Sequence, residues 1–160
     1  MANTFTQIII HFVFVVKGRS NLINGNIKDT IEKYMCGIIK ENKSKPLSIY
    51  CNPDHVHILI GLHPEISVSK MAGLVKGNAS KFIHEQKMIK GKFEWQSGYG
   101  AFSASRSAVP VISKYILNQK EHHSNRSFKK EYVTVLKENE IEFTEKYLPE
   151  FYDADPDLGV

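Results

Sequence analysis

The chain has 160 residues, 42 % of them apolar, and a formal charge of +4, values that suit one soluble domain with one core. No run of 18 apolar residues is present, which excludes a membrane-spanning helix, and the opening residues lack the pattern of a secretion signal, so a cytoplasmic location is expected. Cys36 and Cys51 form neither a zinc spacing nor a disulfide framework, and buried free thiols are expected.

The charge is unevenly placed. Residues 1–130 carry 19 Lys and Arg against 8 Asp and Glu, whereas residues 131–160 carry 2 against 9. A basic body suits a polyanionic partner, nucleic acid being the commonest. The plainer alternative is a set of lysines that only solvates helices.

Residues 5–16 (FTQIIIHFVFVV) are β-branched and aromatic on both faces and predict a central strand. A Lys-Gly-Arg-Ser-Asn turn follows. Asn24 or Asn26 then caps a helix running to about Glu41, with Ile27, Ile31, Tyr34, Met35, Ile38 and Ile39 on its buried stripe. Residues 43–46 break it, residues 47–51 form a short strand, and Asn52-Pro53-Asp54 turns the chain into a second strand beginning at His55. Ser67 opens a helix to about Gln86, and a glycine-rich loop over 87–100 leads to a fourth strand over 101–105. Two helices are expected over 107–123 and 127–138, followed by an acidic tail over 139–160. The order βαββαβ predicts an α+β, ferredoxin-like antiparallel sheet backed by helices, with the first and third strands side by side at its centre. The working division is one domain over 1–138 and the tail over 139–160.

The third strand carries the most informative pattern, Asp54-His55-Val56-His57-Ile58-Leu59-Ile60-Gly61. Side chains alternate along a strand, so His55, His57 and Leu59 share one face while Val56, Ile58 and Ile60 share the other. Two imidazoles in an apolar strand are costly to bury without partners. A divalent cation satisfies both; a packed pair bonded to backbone or acids is the alternative. A metal needs at least one more protein ligand. Gln119 offers an amide oxygen, and Tyr115, four residues earlier, would project from the same helical face about 6 Å away along the axis. His122 and His123 are rival ligands. Three histidines would favour zinc, whereas mixed nitrogen and oxygen donors suit Mg²⁺ or Mn²⁺.

His55-Val56-His57, Tyr115-x-x-x-Gln119 and Gly98-Tyr99-Gly100-Ala101-Phe102-Ser103 together resemble the single-tyrosine HUH transposases of small bacterial insertion sequences and the related repeat-associated tyrosine transposases. The opening strand is similar as well, and the likeness spans residues 4 to about 147. The resemblance implies a DNA transposase that cuts and rejoins single-stranded DNA, often folded into hairpins at the element ends, through a 5′-phosphotyrosine. It implies Tyr115 as the nucleophile, His55, His57 and Gln119 as ligands of Mg²⁺ or Mn²⁺, and a homodimer in which the tyrosine helix can complete the partner's site.

Several cations are candidate DNA contacts: Lys17 and Arg19 at the end of the first strand, Lys70, Lys76 and Lys81 on the second helix beside the bare backbone of Gly73 and Gly77, and Arg106 beside Ser103 and Ser105. Solvated surface charge is the competing explanation for each. Trp95 and Tyr99 could stack bases or plug the loop. His11, on the neighbouring strand, could support the histidine pair or sit satisfied in the core. The tail could compete electrostatically with DNA. Three other functions fit parts of the pattern: a non-catalytic single-stranded nucleic-acid-binding module, an HUH nickase of the replication or conjugation type, and a zinc hydrolase using His55, His57 and His123.

Overall fold

A computed structural model describes residues 3–18, 23–121 and 127–151. The chain forms two compact units, residues 1–117 and 118–160.

The first unit contains β1 (Ile9–Val15), α1 (Gly25–Glu41), β2 (Lys45–Cys51), β3 (His55–Gly61), α2 (Val68–Glu85), β4 (Gly100–Ala104) and α3 (Val109–Leu117). The strands form one antiparallel sheet in the order β2-β3-β1-β4, the ferredoxin-like arrangement expected from the element order. β1 is buried along its whole length, as a strand flanked on both edges and covered on both faces should be. Its start is set by its partners. Ile9 pairs with Gly61 on one side and Ala104 on the other, where both neighbouring strands run out. The expected strand over 5–16 is therefore shortened, and Phe5 is exposed.

The strand alternation sorts the two faces. Phe12, Phe14, Val56, Ile58 and Ile60 point into the main core with Ile31, Met35 and Ile39 of α1 and Met71, Val75 and Ile83 of α2. On the opposite face Ile9 and Leu59 pack with Ile116 of α3, bordered by Leu47, Tyr50, Val109, Ile112 and Tyr115. The helices begin where capping residues were expected. Asn24 Oδ1 accepts from the Asn26 and Ile27 amides, and Ser67 Oγ accepts from the Lys70 amide at 3.0 Å. β2 starts two residues earlier than the sequence implied, taking in Pro46. This is tolerated because β2 is an edge strand and its register shifts between Pro46 and Ser48.

The helix expected over 107–123 is the largest departure. A short 3₁₀ turn (Arg106–Ala108) leads into α3, which ends at Leu117, and Asn118 is a turn. Asparagine competes for backbone hydrogen bonds and is a poor residue for a helix interior. Tyr115 and Gln119 therefore do not lie on one unbroken helix. His122 and His123 lie outside the described residues.

The second unit is built on α4 (Phe128–Glu138), capped by Ser127 Oγ accepting from the Lys130 amide. Phe128 packs edge-on against Tyr132 and Phe151, and burial raises the Tyr132 phenol above its usual range. Three helices, α1, α2 and α4, finish alike. Lys43, Lys87 and Glu140 take left-handed backbone just past them (φ 59, 51 and 54°), and paired amide-to-carbonyl bonds close each end. Glycine usually fills this position.

Candidate metal centre and tyrosine

The register of β3 fixes the site. His57 lies opposite Val13 of β1 and Tyr50 of β2, and His55 lies opposite Val15. Both rings are 1 % exposed and sit edge to face, centroids 5.0 Å apart. Neither is a bare imidazole in an apolar wall. His55 Nδ1 is 2.6 Å from Asp54 Oδ1, so the carboxylate holds the ring's proton on Nδ1 and keeps the lone pair on Nε2. That lone pair accepts from Asn52 Nδ2 at 3.1 Å, and the same lone pair is the one a cation would take. His57 Nδ1 is 2.9 Å from His11 Nε2; one of these nitrogens carries the proton and the other accepts.

This chemistry fits a divalent cation. Metal-binding histidines are oriented by a carboxylate or other acceptor on their far nitrogen, and Asp54 stands in that relation to His55. A cation on His57 Nε2 requires the proton on Nδ1, and His57 then donates to His11. His11 thus supports the pair, one of the two roles left open by the sequence. Asn52 and Asp54 were legible only as a turn; their position three and one residues before His55 was the available signal.

Tyr115 comes from α3 on the same face. Ile112, Tyr115 and Ile116 follow the three-to-four spacing that faces the sheet, while Val111 and Leu117 point outward and are exposed. A Ser48 Oγ–Ser113 Oγ bond of 3.1 Å pins the helix to β2. The Tyr115 ring then stands edge-on to His57, with centroids 5.9 Å apart and planes at 85°. Gln119, in the second unit, is buried.

A family model described as "Transposase IS200 like" matches residues 4–119. The chain belongs to the IS200-like transposase family. It is thus a transposase, a DNA-processing enzyme. It is 24 % identical over 119 residues to the ISDra2 transposase TnpA of Deinococcus radiodurans, covering 71 % of this chain and 84 % of that one. It is 27 % identical over 126 residues to the transposase of insertion sequence element IS200 of Salmonella typhimurium, covering 76 % and 82 % respectively. Among solved structures, the fold is similar to that of a REP-associated tyrosine transposase bound to a REP hairpin, with a TM-score of 0.57 at 13 % identity over 77 % of this chain and 73 % of that one.

The cations singled out in the transposase's sequence have different settings. Lys17 is exposed and 3.5 Å from Glu94. Arg19 lies outside the described residues. Lys70 is exposed on the first turn of α2, and Lys81 is exposed 3.9 Å from Glu85. Lys76 is half-buried and donates to the carbonyls of Gln96 (3.0 Å) and Gly98 (2.6 Å); burial lowers its pKa. It holds the loop before β4 against α2. Trp95 completes that loop plug, its Nε1 donating to the Lys76 carbonyl at 2.9 Å and its ring packing on Phe93. Arg106 is exposed in the 3₁₀ turn before α3. Among the described residues, no helix is long and apolar enough to cross a membrane.

Proposed function

We propose that this transposase cleaves and rejoins single-stranded DNA through a covalent tyrosine intermediate formed by Tyr115. The observation that carries the reading is the Tyr115 ring standing 5.9 Å from the ring of His57, beside two buried and oriented imidazoles. The phenol oxygen attacks the scissile phosphorus, a Tyr115–phosphate bond forms, and the bond to the 3′ oxygen breaks. The phenol's proton is lost in the exchange and the released 3′ oxygen gains one. The phosphotyrosine ester keeps the energy of the broken bond, so a 3′-OH can later attack it and rejoin strands without ATP.

His55 and His57 would hold Mg²⁺ or Mn²⁺, with Gln119 as the third ligand on the family pattern. When bound, such an ion neutralises charge building on the phosphate. The substrate is DNA whose element ends fold into hairpins, acted on in the cytoplasm by a homodimer. Lys17, Arg19, Lys70, Lys76, Lys81 and Arg106 are the proposed DNA-contacting set, with Lys76 acting through the loop it holds.

The test is a denaturing gel after incubation with hairpin-bearing single-stranded DNA and Mn²⁺. Wild type gives a slow covalent adduct; Tyr115→Phe and added EDTA each abolish it. An adduct that survives Tyr115→Phe overturns the assignment. Separate Gln119→Ala and His123→Ala variants identify the third ligand by loss of Mn²⁺ affinity.

A further inference from the structure

The far end of the sheet carries a second feature. Residues 6–9, the loop between α1 and β2, the segment after β3 and the turn into α3 enclose a groove of about 390 Å³. Lys43, Lys45 and Arg106 line it together with His63, and none of its lining residues is acidic. Two of these cations come from the turn into β2 and the third from the turn into α3. Lys43 has an outer contact with Glu65 at 3.7 Å, but both side chains are largely exposed, where such pairs are screened and weak. The Glu65 amide donates to His63 Nδ1 at 3.2 Å, which leaves the ring's proton on Nε2 as a donor even when the imidazole is neutral.

The walls are held before any ligand arrives. The Leu62 amide donates to the Ile8 carbonyl at 2.7 Å, the His63 amide to Ser44 Oγ at 3.0 Å, and the Ser44 amide to the Ile39 carbonyl at 3.1 Å. A preformed groove avoids the ordering cost of binding. Converging cations without acids, plus a ring N–H, match the spaced charges and acceptor oxygens of a sugar–phosphate backbone. Gly61, at the groove, is four residues along β3 from His57, a span of about 13 Å.

The geometry points to this groove as a binding track for the backbone of the DNA strand, separate from the histidine pair. It rests on the proposal that the protein acts on single-stranded DNA. The track positions the flank of the strand; it contributes affinity and register, and the chemistry stays at the other end of β3.

A matched pair of lysines tests it. Lys43 and Lys87 hold the same left-handed position after their helices, so Lys43→Gly and Lys87→Gly remove the same charge and relieve the same backbone strain. Fluorescence anisotropy with a hairpin-bearing single-stranded DNA is recorded across 50–200 mM salt (about the range in which phosphate binding is read). Lys43→Gly is expected to weaken binding severalfold while melting no lower than wild type; Lys87→Gly is expected to bind as wild type does. Combining Lys43→Gly with Lys45→Gln and Arg106→Gln should weaken binding by at least about tenfold and reduce the slope of log K against log salt by about 2, near 0.7 for each cation removed from the phosphates. Equal losses in Lys43→Gly and Lys87→Gly would mean that only net charge matters and would overturn the track, as would a triple variant with unchanged affinity and slope. The two proposals fail separately. Adduct formation with groove-independent binding sinks the track alone, and groove-dependent binding without a Tyr115 adduct sinks the tyrosine chemistry alone.

Discussion

The two faces of the sheet are made by the same strands and do opposite things. On one, Phe12, Phe14, Val56, Ile58 and Ile60 meet α1 and α2 in a continuous apolar core. On the other, one residue out of step, His11, His55 and His57 form a chain of imidazoles beside the ring of Tyr115. The apolar core and the proposed chemistry are separated by the parity of a strand position. Because the side-chain period is two, a slip of one residue would exchange the faces completely. The apolar parity of β3 therefore locks the register that aims the histidines.

The sharpest way to break that comparison is to change neighbours. His57→Ala removes one proposed ligand from the chemical face. The loss of charge stabilisation on the scissile phosphate should lower adduct yield by about 10³-fold or more, read on denaturing gels with Mn²⁺. Ile58→Ala, one residue on, empties a fully buried site on the other face. It should cost about 3 kcal/mol and lower the melting temperature by about 10 °C, while adduct yield per folded molecule stays at the wild-type level. If Ile58→Ala lowers the chemistry of folded protein as much as His57→Ala does, the faces are not separable.

A smaller effect sharpens the account of the chemical face. Asp54 is hydrogen-bonded to His55 through its carboxylate. Asp54→Ala removes the carboxylate that holds the proton on His55 Nδ1, and Mn²⁺ affinity by titration calorimetry should fall by about 10–100-fold with the fold retained. An unchanged affinity would mean that Asp54 serves only the turn before β3.

The two faces also differed in how far they could be read from sequence. The parity of Val56, Ile58 and Ile60 against His55 and His57 was visible because a strand's alternation is strict, and the sheet order followed from the element order. The helix starts at Asn24 and Ser67 were legible because capping chemistry is local. The supporting atoms were not. That His11 Nε2 meets His57 Nδ1 depends on the β1–β3 register, and β1, apolar on both faces, gave no parity signal of its own. The end of α3 at Asn118 was missed because no apolar residue lies between Leu117 and Phe128 to mark where the helix stops. The groove of Lys43, Lys45 and Arg106 joins residues from distant parts of the chain, and no spacing rule connects them.

The two cysteines give the mildest probe of the same division. Cys51 ends β2 and belongs to the main apolar core, where burial pushes its thiol well above the usual range. Cys36 lies on α1, half-buried, and burial raises its thiol less strongly. Thiolate is the reactive form, so both should label more slowly than a free thiol, with Cys51 slower than Cys36. With a colorimetric disulfide reagent on native protein near pH 8, one equivalent should react at Cys36, and the second should appear only on unfolding. The sign with pH follows from the raised values: rates climb as pH rises toward each thiol's folded pKa, and Cys36 responds first. Ile58→Ala should bring the second equivalent forward, since opening the apolar face is what exposes Cys51. His57→Ala should leave it where it was. Early labelling of Cys51 in the His57 variant would show that loss of the imidazole loosens the core behind it, and the two faces would then be coupled through β3.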